Sequence, residues 1–164
     1  MIPGAKPKRV LIADDSRTVR NLVKTFIEER TDLEVCGEAD DGQQAVEKTR
    51  ALEPDLVLLD LSMPRMNGAE AASLIKKSNP NVRIILFTMY SENIGRSLTA
   101  AIGVEAVLSK PDGIAALVRT IGEVLDAPRA PPESQAVSSV AAPSAEWELD
   151  TISFVHLLGR PKSQ

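Results

Sequence analysis

The sequence contains few aromatic residues and only one cysteine. Aromatic side chains make up 3% of its 164 residues, as one tryptophan, one tyrosine and three phenylalanines. A hydrophobic core must therefore be built from aliphatic side chains, and a hydrophobic fraction of 43% is enough for a globular fold. Because Cys36 is the one cysteine, an internal disulfide framework and a Cys-x-x-Cys metal site are excluded, which fits a reducing compartment.

Long hydrophobic runs and an excess of positive charge are also absent. The first apolar stretch, VLIA from Val10 to Ala13, is far shorter than the roughly 7–15 residues of a signal-peptide core. No run approaches the roughly 20 apolar residues needed to cross a bilayer. Lysine and arginine number 19 against 23 acidic residues, a net charge of -4, which argues against nonspecific binding to nucleic acid. We therefore expect a cytoplasmic protein with no membrane partner and no direct DNA binding.

The composition changes after Asp126, where proline, alanine and serine begin to dominate. No hydrophobic periodicity survives in the stretch APRAPPESQAVSSVAAPSAE, which is typical of a linker. Farther on, Ile152, Val155 and Leu158 share one helical face, as in a short amphipathic helix. We therefore expect an amino-terminal extension, a folded domain, a linker and a flexible tail, at residues 1–7, 8–126, 127–146 and 147–164.

Short apolar runs alternate with amphipathic helical patterns along the folded part. Several of the runs lack polar alternation, as expected of strands covered on both faces. The predicted strands are residues 9–13, 33–36, 56–59, 82–87 and 106–108. The predicted helices follow Ser16 as an N-cap, cover residues 43–52, 68–78 and 92–102, and run from Asp112 to Pro128. This order predicts an α/β fold, and the favoured topology is a flavodoxin-like (βα)5 doubly wound parallel sheet with strand order 2-1-3-4-5.

Polar residues follow four of the five predicted strands. They are Asp14 and Asp15 after the first, Asp60 after the third, Thr88 after the fourth and Lys110 after the fifth. Ligands of such sheets bind beyond the carboxyl ends of the strands, so these side chains should converge. Clustered carboxylates favour a divalent cation such as Mg²⁺, and a carboxylate beside Mg²⁺ can attack phosphorus. Lys110 and Thr88 would then contact the phosphoryl oxygens.

Each of these residues alone has a simpler interpretation. A single aspartate at a strand end is more often a helix cap or an ion-pair partner, and Lys110 could pair with Asp14 without any ligand. The combination of three carboxylates, a hydroxyl and an ammonium at separate strand ends favours a site.

Four motifs resemble the receiver domain of bacterial two-component response regulators. They are VLIADDSRTVR, PDLVLLDLSMPRMNG, LFTMYS and SKP, and the resemblance covers about residues 8–126. It implies that Asp60 accepts a phosphoryl group from a sensor histidine kinase or a phosphotransfer protein. It also implies the same strand order as the hydrophobic pattern.

The resemblance also assigns the other site residues. Asp15 matches the direct Mg²⁺ ligand and Asp14 its acidic neighbour, while Asp60 and the backbone carbonyl of Ser62 complete the metal site. Thr88 matches the switch hydroxyl and Lys110 the phosphoryl-binding lysine. The residue after that lysine, Pro111, matches a proline that usually follows a cis peptide bond.

One position departs from the family pattern. Three residues before Lys110, where an aromatic residue commonly relays the signal, stands Val107. The residues after the linker are too few for a helix-turn-helix module, which predicts a stand-alone receiver acting on an unknown downstream protein. We expect a monomer or weak homodimer that is not an enzyme beyond slow self-dephosphorylation.

Two other functions remain as alternatives. An aspartyl-phosphate hydrolase of the haloacid dehalogenase type would need a second aspartate two residues after the nucleophile, where this chain has Ser62. A receiver that forms part of a DNA-binding transcriptional regulator is disfavoured by the acidic charge and by the missing DNA-binding module.

Overall fold

The computed structural model describes residues 6–89 and 100–128, in which helices alternate with strands. The strands are β1 (Arg9–Ala13), β2 (Glu34–Ala39), β3 (Leu56–Leu59), β4 (Arg83–Thr88) and β5 (Ala106–Ser109). The helices are α1 (Arg17–Arg30), α2 (Gly42–Leu52), α3 (Gly68–Ser78) and α4 (Ile114–Asp126), with a 3-10 turn at Lys110–Asp112. In these described ranges no helix combines the length and the hydropathy that crossing a membrane would need.

All five strands are parallel and lie in the order β2-β1-β3-β4-β5. The central strand β3 pairs with β1 on one side, where Val10 lies opposite Leu56, and with β4 on the other. The predicted flavodoxin-like topology is therefore confirmed. Since β1, β3, β4 and β5 are consecutive neighbours, the segments that follow them lie side by side at one edge of the sheet.

The core consists of two aliphatic layers on the two faces of the sheet. Alternate residues of one strand enter different layers, so that Leu11 belongs to one and Val10 to the other. The first layer includes buried residues of α2 and α3, and the second includes buried residues of α1 and α4. Both faces are thus covered, which is why the strands lack polar alternation.

The first three helices begin at side-chain caps. The hydroxyl of Ser16 accepts a hydrogen bond from the backbone N–H of Val19, which confirms the predicted start of α1. Asp41 and Asn67 cap α2 and α3 in the same way. Of these helices, α1 begins three residues after Asp14, so its cap also fixes the backbone beside the candidate site residues that follow β1.

The structure corrects several predicted boundaries. The second strand continues three residues beyond Cys36, because residues 37–39 extend its pairing with β1 after a register irregularity. The last helix begins at Ile114 rather than after Asp112, because the 3-10 turn forms first. The bond before Pro111 is trans, since no cis peptide occurs in the described residues, and proline's fixed φ suits the start of that turn.

Two predicted elements lie outside this part of the chain. Only the end of the helix expected at residues 92–102 is described, where residues 100–102 are helical and Gly103 follows with a φ of 79°. That left-handed φ agrees with the expected role of glycine after a helix. Most of the linker and the whole tail, residues 129–164, also lie outside the described residues.

Candidate functional site

Four of the predicted site residues lie close to one another at the carboxyl edge of the sheet. Asp14 and Asp60 directly follow β1 and β3, Thr88 is the last residue of β4, and Lys110 directly follows β5. Thr88 is fully buried, and only 3% of Asp14 and 4% of Asp60 is exposed. Buried polar groups at the ends of neighbouring strands are expected where a sheet of this kind binds a ligand.

Three carboxylates form an acidic cluster at this edge. One oxygen from each of Asp14, Asp15 and Asp60 lies within 4.8 Å of the other two, and Asp15 is the exposed member. Oδ1 of Asp60 is buried and has no hydrogen-bond partner in the described residues. Oxygen donors, concentrated negative charge and a buried oxygen with free lone pairs all fit a small hard cation such as Mg²⁺.

Lys110 supplies the positive charge of the site. Its Nζ lies 2.7 Å from Oδ2 of Asp14 and 3.3 Å from Oδ1 of Asp60, and 13% of its side chain is exposed. Burial alone lowers the pKa of Lys110, but the hydrogen bond and the charge from Asp14, with the charge of Asp60, outweigh it and raise that pKa. The lysine is therefore a stable cation at neutral pH.

Asp60 lies in an environment that disfavours its negative charge. Burial raises the pKa of Asp60, and the negative charge of Asp14 raises it further, while the ammonium of Lys110 lowers it. The raised pKa means that the ionised carboxylate is less stable here than in water. A bound cation or a covalent change at Asp60 would relieve part of this cost.

The backbone beyond Asp60 packs tightly against the start of α3. A Cβ atom added to Gly68 would lie 2.1 Å from the carbonyl oxygen of Asp60, so glycine is required for this approach. The N–H of Gly68 also donates to the carbonyl of Leu61 at 2.9 Å. The loop that follows β3 is thereby held against the helix, which restricts where the Asp60 carboxylate can lie.

A second set of contacts ties the same loop to the start of α2. The N–H of Gly42 donates to the carbonyl of Met66 at 3.2 Å, and the guanidinium of Arg65 forms ion pairs with Asp40 and Asp41. Arg65 adopts a left-handed φ of 63°, which is uncommon for a residue other than glycine. Sequence reasoning missed these contacts, because the partners are more than twenty residues apart and no local pattern marks them.

Two remaining predicted residues have different surroundings. Ser62 is exposed in the loop beyond Asp60, and its backbone carbonyl as a metal ligand stays a prediction. Val107 is half-buried in β5 and packs against the core layer of α2 and α3. Its short side chain is thus part of that layer in the structure.

Comparison with known proteins gives a family for this arrangement. The family model for the response regulator receiver domain matches residues 10–122. The response regulator protein VraR of Staphylococcus saprophyticus is 39% identical over 87 residues, which are 53% of this chain and 42% of that protein. A protein-glutamate methylesterase/protein-glutamine glutaminase of Myxococcus xanthus is 41% identical over 108 residues, which are 65% of this chain and 31% of that enzyme.

A solved structure with the same fold is a complex with BeF3 and magnesium. In this CheX-CheY-BeF3-Mg complex of Borrelia burgdorferi, one chain superimposes with a TM-score of 0.65 at 30% identity, covering 72% of this chain and 89% of that one. The chain spans less than half the length of the two curated relatives above. The strand order, the acidic cluster beside Lys110 and the family match lead to one conclusion: the chain belongs to the response regulator receiver domain family.

Proposed function

We propose that this receiver is a phosphorylation-dependent switch whose phosphoacceptor is Asp60. The supporting observation is the buried Oδ1 of Asp60, which has no hydrogen-bond partner in the described residues and lies 3.3 Å from the ammonium of Lys110. A carboxylate oxygen with free lone pairs beside a cation is suited to attack an incoming phosphoryl group. Asp14 already engages both of its carboxylate oxygens, with Ser16 and Lys110, which makes it the poorer nucleophile.

The transfer step is a substitution at phosphorus. A carboxylate oxygen of Asp60 forms the new bond to phosphorus, and the bond from phosphorus to the imidazole nitrogen of a phosphohistidine breaks. The imidazole leaves with the electron pair of that bond, and Asp60 becomes an acyl phosphate. Lys110 neutralises charge on the phosphoryl oxygens, because its Nζ already lies beside Oδ1 of Asp60. Later attack of water on phosphorus releases inorganic phosphate and restores the carboxylate.

The acidic cluster provides the metal site that this reaction needs. Asp14, Asp15 and Asp60 would hold Mg²⁺, together with the backbone carbonyl of Ser62. When bound, Mg²⁺ offsets the negative charge of the carboxylates and of the phosphoryl oxygens. The magnesium and BeF3 of the Borrelia complex support this assignment by similarity.

Thr88 would pass the change on to the rest of the domain. It ends β4 beside the strand that leads to Lys110, and its register partner in β5 is Ser109. A hydroxyl that moves towards a phosphoryl oxygen would bias the conformation of the surface beyond β4 and β5. Because Val107 replaces the usual aromatic residue, that relay would use a smaller side chain.

We propose that the donor is a sensor histidine kinase or a phosphotransfer protein in the cytoplasm, and that the output is a change in protein contacts. The receiver itself would neither turn over substrate nor bind DNA directly. The net charge of -4 of the full chain argues against DNA binding. A hydrolase of the haloacid dehalogenase type lacks support, because Ser62 stands where its acid/base aspartate belongs and the family match is to receivers.

A downstream DNA-binding role is the second candidate, since the structural relatives include a DNA-binding response regulator of Staphylococcus aureus.

The proposal is tested by phosphorylating the purified full chain with acetyl phosphate and MgCl₂. Intact-protein mass should increase by one phosphoryl group, and borohydride reduction should convert Asp60 alone into homoserine. The Asp60→Asn variant should gain no mass. An adduct that persists in this variant, or one that reduction places at Asp14 or Asp15, would contradict the assignment of Asp60.

A further inference from the structure

The main chain of Asp14 is fixed on one side by β2 and on the other by α1. Its N–H donates to the carbonyl of Ala39 at 3.1 Å, and its carbonyl accepts a hydrogen bond from Nη1 of Arg20 at 2.7 Å. Nε of the same guanidinium lies 3.1 Å from Oε2 of Glu38. Arg20 therefore connects the turn after β1 to the last residues of β2.

The Arg20 side chain is restricted to one arrangement by its burial and its contacts. Arg20 is the fourth residue of α1 and closes the first turn, because its backbone N–H donates to the carbonyl of the N-cap Ser16 at 3.0 Å. Only 13% of its side chain is exposed, against 40% for Lys24, which pairs with the same Glu38 at 3.6 Å. A planar guanidinium can donate to two separate acceptors at once, and here it joins a main-chain carbonyl to a carboxylate.

The carbonyl that Arg20 binds belongs to the peptide between Asp14 and Asp15. The orientation of this peptide sets the direction in which the Asp15 side chain leaves the backbone. In the described ranges Asp15 has no hydrogen bond or ion pair of its own, so its position in the cluster depends on the main chain. By contrast, the carboxylate of Asp14 is held by the N–H of Ser16 and by Lys110.

We propose that Arg20 is a positioning residue for the metal site, and that it sets Mg²⁺ affinity by fixing the Asp14–Asp15 peptide. This inference rests on the proposed function, because it assumes that the acidic cluster holds Mg²⁺. Removing a group that hydrogen-bonds to and orients a metal ligand typically weakens metal binding by about 10–100-fold.

The direction in which Mg²⁺ affinity changes distinguishes a positioning role of Arg20 from a purely electrostatic one. Removing a positive charge near three carboxylates strengthens the attraction of the cluster for a cation. If Arg20 acted only through its charge, then Arg20→Gln would bind Mg²⁺ more tightly than the unaltered protein. Loss of positioning predicts the opposite result, which is weaker binding. Lys24→Gln is the matched control, because it removes the same charge from the same helix and from the same partner, Glu38.

The experiment is a titration of the ¹⁵N-labelled full chain with MgCl₂, followed by amide chemical shifts near Asp15 and Asp60. We expect Arg20→Gln to raise the Kd for Mg²⁺ by about tenfold or more. Lys24→Gln should leave it unchanged or slightly lower it. An Arg20→Gln affinity equal to or tighter than that of Lys24→Gln would overturn the proposal.

A second readout distinguishes positioning from general loss of structure. With acetyl phosphate, Arg20→Gln should need more Mg²⁺ for half-maximal phosphorylation of Asp60, yet approach the unaltered rate at saturating Mg²⁺. A rate that stays low at saturation would indicate a general defect and would overturn the proposal.

If Arg20→Gln does not fold, the proposal is tested with Arg20→Lys, which keeps the positive charge. A single ammonium lacks the fork that reaches both acceptors, so binding should weaken by roughly two- to tenfold. Unchanged affinity in Arg20→Lys would also overturn the proposal. If the unaltered protein fails to bind Mg²⁺, both the proposed function and this inference fail. If it binds Mg²⁺ and is phosphorylated while the Arg20 variants match it, the inference alone fails.

Discussion

The ammonium of Lys110 lies closer to Asp14 than to Asp60, at 2.7 Å against 3.3 Å. Asp14 therefore holds the lysine in place, and Asp60 keeps its buried Oδ1 without a hydrogen-bond partner in the described residues. A phosphoryl group on Asp60 would meet a cation that is already positioned. The same arrangement places one positive charge beside three carboxylates, so we expect its stability to depend on Lys110 and on bound Mg²⁺.

Replacing Lys110 by glutamine should destabilise the domain in the absence of Mg²⁺. The change removes a largely buried cation and leaves Asp14 and Asp60 to repel each other, at a cost of about 1–3 kcal/mol. Millimolar Mg²⁺ should recover part of the loss, because the metal replaces the missing charge. Urea unfolding with and without MgCl₂ measures both effects. Lys77→Gln, at an exposed position of α3, is the control and should change stability little. A Lys110→Gln variant as stable as this control would contradict the ion-pair argument.

Replacing Asp60 by asparagine should have the opposite effect on stability. Burial and the charge of Asp14 both disfavour the Asp60 carboxylate, as its raised pKa shows. The neutral amide avoids this cost, so the metal-free domain should gain on the order of 1 kcal/mol at neutral pH. Mg²⁺ should then stabilise the variant less than it stabilises the unaltered protein. Chemical denaturation in EDTA and in MgCl₂ gives the comparison, and a loss of stability in EDTA would refute it.

Gly68→Ala should disturb the site through its backbone. The added Cβ would lie 2.1 Å from the Asp60 carbonyl oxygen, so the loop or α3 must shift, at a cost of about 1–3 kcal/mol. Phosphorylation by acetyl phosphate should slow as well, because the loop positions Asp60. Gly122→Ala is the matched control, since an added Cβ in α4 meets nothing within 4 Å and should stabilise the helix by about 0.5–1 kcal/mol. Thermal unfolding of the two variants should therefore shift in opposite directions.

The fold and the polar residues at the strand ends were predictable from local patterns. Apolar runs of unbroken character located β1 and β3, and helical spacing with Ser16 as a cap located α1. The placement of Asp60 and Lys110 at one edge follows from parallel strands, whose carboxyl ends meet there. Such predictions succeed because spacing along the chain determines which face a residue occupies.

Contacts between distant segments could not be predicted in the same way. The bond from Arg20 to the carbonyl of Asp14 depends on a side-chain conformation, and the approach of Gly68 to Asp60 depends on how tightly α3 packs. Gly37 likewise packs closely where β2 continues past Cys36, since a Cβ there would lie 2.7 Å from a terminal methyl group of Leu52. These features arise from packing in three dimensions and leave no periodic signal in the sequence.

Cys36 should react slowly with thiol reagents while the domain is folded. Burial raises the pKa of this thiol, and its Sγ lies 3.4 Å from the carbonyl of Val10 within the β1–β2 pair. The thiolate is the reactive form, so a raised pKa together with limited access should reduce labelling by Ellman's reagent relative to denatured protein.

The raised pKa of Cys36 should also make folding stability depend on pH. Because the folded state favours the protonated thiol, stability should fall as pH rises above the thiol pKa of the unfolded chain, which is about 8.5. Cys36→Ser should remove that pH dependence, whereas an equally steep decline in the variant would assign it to another group.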